Sequence, residues 1–180
     1  ERFSHELNDF MLFYQFNCLY QLNNRAFNSD VYKFPLSQRP FSYGDELLVY
    51  HQDLAVRKIS PSREDLAKSV EVLNQLSREL SISKIRLISI IAPDKYDMYY
   101  SQIEKRENFP EPTFFKEYKL IVKDHIELNC YNILSDSISS SIKDIYFYDN
   151  THWSPIGHEI ISTNLEILIK RLHIIHNISE

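Results

Sequence analysis

Hydrophobic positions along the middle of the chain predict a strand, a helix and a second strand. The apolar run at 47–51 has the length of a buried strand. A helix is predicted from Pro61 to about Leu80, with Ser60 as its N-cap. Its apolar stripe consists of Leu66, Val70, Leu73 and Leu80. The run at 85–92 is almost continuously β-branched, as in a strand buried on both faces of a parallel sheet. We therefore predict two parallel neighbouring strands with a right-handed crossover.

The second half of the chain continues the alternation of strands and helices. The pattern predicts a helix at 113–123, a weak strand near 126–131, a serine-rich loop at 135–141 and a short strand or turn at 145–148. A last helix is predicted to begin near Pro155. Its apolar positions are Ile160, Ile161, Leu165, Leu168 and Leu172. Strands alternating with helices place the chain in the α/β class.

The start of the chain has a different character. Residues 1–27 are dense in aromatic side chains and leucine, and they are predicted to be mainly helical and to pack against another surface. Residues 28–46 contain Pro35, Pro40 and Gly44 among polar residues and are predicted to be a loop. We expect one domain over 1–180, with 1–43 as its helical and loop region.

Composition excludes several function classes. The net charge is -5 and the basic residues are scattered, which argues against a nucleic-acid partner. The chain contains two glycines, Gly44 and Gly157, whereas phosphate-binding loops of dinucleotide and P-loop proteins need several, so no cofactor is expected. No stretch has the length and apolarity of a membrane span, and no signal peptide opens the chain. Cys18 and Cys130 are predicted to be two buried thiols, with a disulfide as the alternative.

One pair of residues has the pattern of a catalytic acid–base unit. Asp149 and His152 lie three positions apart, after an apolar segment and just before the helix that Pro155 begins. In a hydrolase, one imidazole nitrogen faces the nucleophile while a carboxylate holds the other nitrogen in the correct tautomer. A loop anchored by a helix lets both side chains turn toward one point. The spacing alone is common in proteins and is weak evidence for such a site.

The surrounding residues make this pattern more specific. The string from Tyr148 to Gly157 resembles the C-terminal block of SGNH hydrolases, and it is most similar to the branch related to alginate O-acetyltransferase. The segments at 44–54 and 92–96 are also similar to segments of that branch. The resemblance covers roughly 44–172, and 173–180 is expected to be a tail.

The resemblance implies a fold and a reaction. The fold would be a three-layer α/β sandwich with a mostly parallel sheet. The chain would be a carbohydrate O-acetyl esterase or O-acetyltransferase that acts through a serine acyl-enzyme, with acetylated carbohydrate or an acetyl donor as its partner. His152 would be the general base and Asp149 its orienting carboxylate. The family also implies an extracytoplasmic location, in the periplasm or cell envelope.

Two departures from the family pattern are visible. The alginate-like branch commonly has its acid two residues before the histidine, where this chain has Asn150. The Gly-Asp-Ser triplet that carries the nucleophile is also absent, since Gly44 and Asp45 are followed by Glu46. Either the chain is a fragment whose serine is supplied by an upstream segment or a partner chain, or it is a non-catalytic carbohydrate-binding or scaffolding relative. The absence of a recognisable first strand favours the fragment.

Four further residues are tentative substrate-binding candidates, and each has a structural alternative. Gln52 and Asp53 follow a predicted strand, where they would donate to an oxyanion or form a solvated turn. Lys95 follows the second strand, with a surface ion pair to Asp94 as the alternative. Trp153 would stack on a sugar ring or fill the core.

A metal site formed by His158, His152 and Asp149 is disfavoured. Paired histidine ligands on a helix usually lie four residues apart, and these two lie six apart. His173 and His176 are expected to be solvated.

Overall fold

A computed structural model describes residues 30–57, 62–121 and 125–178, and it contains four short strands and six α-helices within those ranges. In chain order they are β1 (Val31–Pro35), β2 (Glu46–Tyr50), α1 (His51–Arg57), α2 (Arg63–Ile82), β3 (Ile88–Ile90), α3 (Lys95–Tyr99), α4 (Phe114–Ile121), β4 (Ile126–Leu128), α5 (Cys130–Ser139) and α6 (Pro155–Ile178). Two short 3₁₀ turns, Tyr100–Gln102 and Arg106–Asn108, follow α3. The predicted α/β class is confirmed.

The predicted pairing of the strands at 47–51 and 85–92 is wrong. Strand β2 pairs antiparallel with β1, and Phe34 lies opposite Leu47. Strand β3 belongs to a separate sheet, where it pairs parallel with β4. The chain returns from β1 to β2 within ten residues, so this hairpin closes a far shorter loop than the predicted crossover would.

Two segments predicted to be loops contain regular structure. Residues 31–35 form β1 because Tyr32 and Phe34 alternate with Val31 and Lys33, and Phe34 is fully buried. The serine-rich stretch belongs to α5, where Asn129 caps the helix by accepting from Asn132 N. Cys130, Leu134 and Ile138 recur at helical spacing in α5 and pack into the core.

The predicted strand at 85–92 is shorter and more exposed than expected. Only Ile88–Ile90 is extended, and Ile85 and Ile90 are 52% and 43% exposed. Within the described residues β3 has one neighbouring strand, and its side chains are half-buried or exposed, so it is not covered on both faces as its β-branched composition predicts. Of the strand predicted near 126–131, only Ile126–Leu128, which is β4, is extended.

Three predicted helices are confirmed with adjusted ends. Helix α2 is capped by Ser62, whose hydroxyl accepts from Asp65 N at 3.1 Å. Ser60 and Pro61, where the cap was predicted, lie outside the described residues. Helix α4 falls within the predicted 113–123, and α6 begins at Pro155 as predicted. The backbone of α6 runs to Ile178, beyond the expected tail boundary at 172. The prediction for 1–27 lies outside the described residues, as does Cys18.

The main core lies between the β1–β2 hairpin, α3, α5 and the start of α6. Its largest fully buried side chains are Phe34, Phe41, Leu47, Tyr96, Tyr99, Leu134, Ile145 and Tyr146. Cys130 is buried here, and burial raises the pKa of its thiol to about 11. The core therefore lies directly beneath residues 144–154, which carry the candidate active site.

A smaller core joins α2 to α4 through Leu66, Val70 and Tyr118. Beside it, His125 Nδ1 donates to Asn74 Oδ1 at 2.8 Å, because an amide oxygen only accepts. Both side chains are buried. His125 is therefore a structural histidine that ties β4 to α2.

Helix α6 offers a direct stability test. Ile161 is 6% exposed, whereas Leu165 and Leu168 are half-buried at the same core and Ile167 is 43% exposed. We expect Ile161→Ala to lower the unfolding free energy by about 2–4 kcal/mol, the usual cost of truncating a buried aliphatic side chain. Ile167→Ala should cost less than about 1 kcal/mol. Urea unfolding of both variants measures this. Equal losses would mean that the helix packs through a different face.

Candidate active site

Residues 144–154 form a closed turn between the core and helix α6, and we call 147–153 the His152 loop. Tyr146 and Trp153 form an antiparallel bridge. Phe147 N donates to His152 O at 3.1 Å, and Ser154 N donates to Ile145 O at 2.9 Å. These bonds bring the two ends of the loop together and leave 148–151 at its tip.

Ser154 ends the loop and begins the last helix. Its Oγ accepts from Ile156 N at 3.1 Å and from Gly157 N at 3.4 Å, and it donates to the carbonyl oxygen of Asp144. Pro155 takes the first helical position, where its missing N–H costs no hydrogen bond. A Cβ on Gly157 would lie 2.3 Å from Ile145 O, so only glycine fits this close approach.

Asp144 holds the loop to the segment before β2. Its backbone is left-handed at φ 56, a conformation that aspartate tolerates better than most residues. Its carboxylate accepts from Ser42 N at 2.7 Å and from the Ser42 hydroxyl, and its own N–H donates to Pro40 O at 2.9 Å. The loop is thus fixed from both the hairpin and the helix.

His152 is oriented by Asn150, not by Asp149. His152 Nδ1 lies 2.5 Å from Asn150 Oδ1, and the backbone N–H of His152 donates to the same oxygen at 3.2 Å. A backbone N–H is always a donor, so it identifies the facing amide atom as the oxygen. An amide oxygen only accepts, so Nδ1 carries the proton and Nε2 holds the lone pair. The neutral ring therefore has the tautomer that a general base needs.

The predicted hydrogen bond between Asp149 and His152 is wrong. Asn150 occupies that place because its side chain folds back over the turn and accepts from residue 152, two positions on. Asp149 is exposed at the loop tip, and its charge partly offsets the lowering of the Lys95 pKa by burial. The sequence alone singles out Asn150 only through its position, two residues before the histidine.

Lys95 lies under the loop. The side chain is 1% exposed, and Nζ donates to the carbonyl oxygens of Phe147 at 3.1 Å, Tyr148 at 2.9 Å and Asn150 at 3.0 Å. An ammonium group has three N–H donors, and all three are used. The surface ion pair with Asp94, the alternative considered for Lys95, is therefore wrong. Instead of contacting substrate directly, Lys95 makes a buried contact to the loop.

Burial disfavours the charged form of Lys95, whereas nearby groups favour it. Nζ lies 5.5 Å from the ring centre of Phe41. Burial lowers the pKa of Lys95 to about 8, while Asp94, Asp149 and Asp53 act in the opposite direction. Asp94 caps α3 by accepting from Tyr96 N at 2.7 Å, so the lysine is attached to a fixed helix start.

The end of β3 also contacts the loop region. Tyr146 Oη donates to Pro93 O at 2.7 Å, just after the strand. Burial and the nearby Tyr99 and acidic side chains raise the pKa of Tyr146 well above its ordinary value, so it stays a neutral donor. The candidate base is therefore near the carboxyl end of a strand in the parallel sheet, where α/β proteins place their ligands.

The other predicted site residues have separate positions. Gln52 is exposed and Asp53 is half-buried, both in α1 rather than in a turn after the strand. Trp153 is half-buried, and its ring meets His158 edge-on with centres 5.6 Å apart. Trp153 also pairs with Tyr146 in the antiparallel bridge that closes the loop. Of these three, Asp53 is near enough to Lys95 to affect its charge.

An open groove of about 500 Å³ lies beside the loop. It is lined by Tyr43, Asp144, Tyr146, Phe147, Tyr148, Asp149, Ser154, Pro155 and Ile156. Tyr43 is 89% exposed, and Phe147 and Ile156 are also exposed. His152 lies on the same loop but is not among the residues that line the groove.

In the part of the chain that the structure describes, no three histidine, cysteine, aspartate or glutamate side chains are grouped so as to hold a metal ion. None of the helices described is long and apolar enough to cross a membrane.

No protein-family model, curated protein or solved structure matches the chain.

The buried lysine gives a pH-dependent prediction. We expect the Lys95 ε-methylene signal to titrate near pH 8 in NMR spectra, well below the ~10.4 of a free lysine. The unfolded chain keeps this proton to about 10.5, so between pH 8 and 10.5 the unfolded state binds more protons. The contribution of Lys95 to the unfolding free energy therefore rises with pH across that window. Lys95→Met assigns the signal and removes the rise. A midpoint near 10.5, with no difference in pH dependence between the two proteins, would contradict the burial of the charge.

Proposed function

We propose that this chain provides the general base of a carbohydrate O-acetyl esterase or O-acetyltransferase of the SGNH type. The observation that carries the proposal is the His152–Asn150 contact, because it puts the proton on Nδ1 and leaves the lone pair on Nε2. Among the described residues no hydrogen bond is made to Nε2. An exposed imidazole in this tautomer is ready to accept a proton from a hydroxyl nucleophile.

The proposed reaction proceeds through an acyl-enzyme. Nε2 of His152 takes the proton of a serine hydroxyl as the serine oxygen attacks the acetyl carbonyl, and the ring then gives that proton to the departing sugar oxygen. Water or an acceptor hydroxyl releases the acetyl group by the same steps in reverse order. The serine is supplied by a segment or partner chain that completes the site. The esterase and the transferase differ only in the group that takes the acetyl from the serine, which is water in the esterase and an acceptor hydroxyl in the transferase.

The three-layer sandwich belongs to this proposal. The parallel β3–β4 pair would be part of the larger parallel sheet, with helices on both faces. The Tyr146–Pro93 hydrogen bond supports it, since it puts the candidate base by the carboxyl end of β3.

The groove beside the loop supports a carbohydrate as the substrate. Exposed aromatic rings stack on the apolar faces of sugars, and here Tyr43 and Phe147 are exposed and line the groove. The carboxylates of Asp149 and Asp144 line the same groove and are acceptors for sugar hydroxyls.

A non-catalytic carbohydrate-binding module is the second candidate. Asn150 favours it, because an amide orients the ring but does not stabilise the imidazolium as a carboxylate does. The position of His152 outside the groove lining favours it as well. In that case the groove would bind acetylated polysaccharide for a partner enzyme.

Substitutions at 149, 150 and 152 separate these functions in the complete protein that includes the chain. With an acetylated oligosaccharide, His152→Ala should lower kcat for acetyl release by about 10³-fold or more, as loss of a triad base does. Asn150→Ala should lower kcat by about tenfold or more, and Asp149→Asn should have a smaller effect. Asn150→Asp should raise kcat by about tenfold, since a carboxylate stabilises the imidazolium.

Three outcomes decide between the candidates. Acetyl release that is unchanged in His152→Ala overturns the catalytic proposal. Binding of the oligosaccharide without acetyl release, lost in Tyr43→Ala, supports the binding module. If the protein neither binds the oligosaccharide nor releases acetyl, both candidate functions are refuted. Ile167→Ala, on the exposed face of α6, serves as the matched control.

A further inference from the structure

The carbonyl groups of the His152 loop converge on one cation. Lys95 Nζ lies 2.9–3.1 Å from the carbonyl oxygens of Phe147, Tyr148 and Asn150. Two of these residues precede Asp149 and one follows it, so the contacts span the tip of the turn. The carbonyl dipoles all point at the same place, where their negative ends would repel one another without a positive charge between them.

The lysine is itself held by fixed elements. It begins α3 directly after the segment that leaves β3, and the preceding residue Asp94 caps the helix at Tyr96 N. Tyr96 is fully buried and donates to Pro110 O at 2.7 Å. The start of α3 is therefore a fixed position from which the Lys95 side chain reaches the loop.

The charged groups that act on this ammonium come from three elements. Asp94 lies at the start of α3, Asp53 lies in α1, and Asp149 lies at the tip of the loop. Asp149 thus acts on the charge of Lys95, in addition to lining the groove. This effect on Lys95 gives Asp149 a role even though it does not contact the imidazole of His152.

We propose that Lys95 is the positioning residue for His152, setting the loop conformation that lets Asn150 Oδ1 hold the imidazole, with Asp149 as an electrostatic partner of the lysine. The link runs from Nζ through the carbonyl of Asn150 to the side chain that orients the ring. The proposal that this improves catalysis rests on the proposed function, whereas the effect on the loop does not.

The loop effect is tested by hydrogen exchange in the full chain. The reporter amides are Phe147, His152 and Ser154, which are hydrogen bonded across the loop. In Lys95→Met, which keeps the length of the side chain but has no donors, they should exchange at least tenfold faster, while the amides of α2 are unchanged. Lys143→Met is the matched control, because Lys143 is exposed and close in sequence to the loop.

Chemical rescue separates positioning from mere packing. Lys95→Ala removes three carbons and the ammonium group, which is the size of propylammonium. Added propylammonium should restore slow exchange of the reporters, and tetramethylammonium, which has charge but no N–H, should not. Rescue by both cations, or unchanged reporters in Lys95→Met, would overturn the proposal. If neither variant folds, the wild type decides: opening that frees Lys95 takes up a proton, so the protection factors of the reporters should rise between pH 8 and 10.5, and constant protection factors would refute the role.

Acetyl release in the complete protein tests whether Lys95 also affects catalysis. Lys95→Met should lower kcat by at least tenfold with KM within about twofold, and propylammonium should restore kcat in Lys95→Ala. A change in KM alone would refute a role in positioning the base. If the wild-type protein releases no acetyl group, the proposed function fails, while the exchange and rescue results still decide the effect on the loop.

Discussion

The segment that carries His152 depends on one buried ammonium group. Removing a lysine from water costs several kcal/mol unless each N–H finds an acceptor, and Lys95 finds three in the backbone of the loop. The same contacts satisfy carbonyl groups that would otherwise be buried without a donor. The bonds to Phe147, Tyr148 and Asn150 span more than 50 residues of sequence, so they join the β3–α3 corner to the start of α6.

This arrangement divides the string from Tyr148 to Gly157 into two parts. Ser154, Pro155 and Gly157 are required by the start of α6, as cap, first helical residue and close contact. Trp153 forms the bridge to Tyr146 that closes the loop, and its ring meets His158 edge-on. Asn150 and His152 are not required by either the helix start or this bridge. Most of the string is therefore explained by how the helix begins and how the loop closes.

The sequence predicted the helices much better than the sheets or the contact partners. Helices α2 and α6 were predictable because their apolar spacing and caps are local. The pairing of β2 was not, because both β1 and β3 offer a suitable edge and the choice depends on the hairpin between 36 and 45. Helix α5 was missed because its serines masked the spacing of Cys130, Leu134 and Ile138. At the candidate site, the spacing of the sequence singles out His152, but the choice between Asp149 and Asn150 as its partner depends on a turn that Lys95 contacts from 55 residues away.

The protonation of the His152 ring tests the central claim most directly. Long-range ¹H–¹⁵N NMR of the full chain, with the ring neutral and assigned by His152→Ala, reports which nitrogen holds the proton. The structure predicts the proton on Nδ1 and the lone pair on Nε2, and in Asn150→Ala the two forms should mix. A proton fixed on Nε2 in the wild type would contradict this account, because Asn150 would then not accept from Nδ1 and Nε2 would lack the lone pair that the proposed base requires.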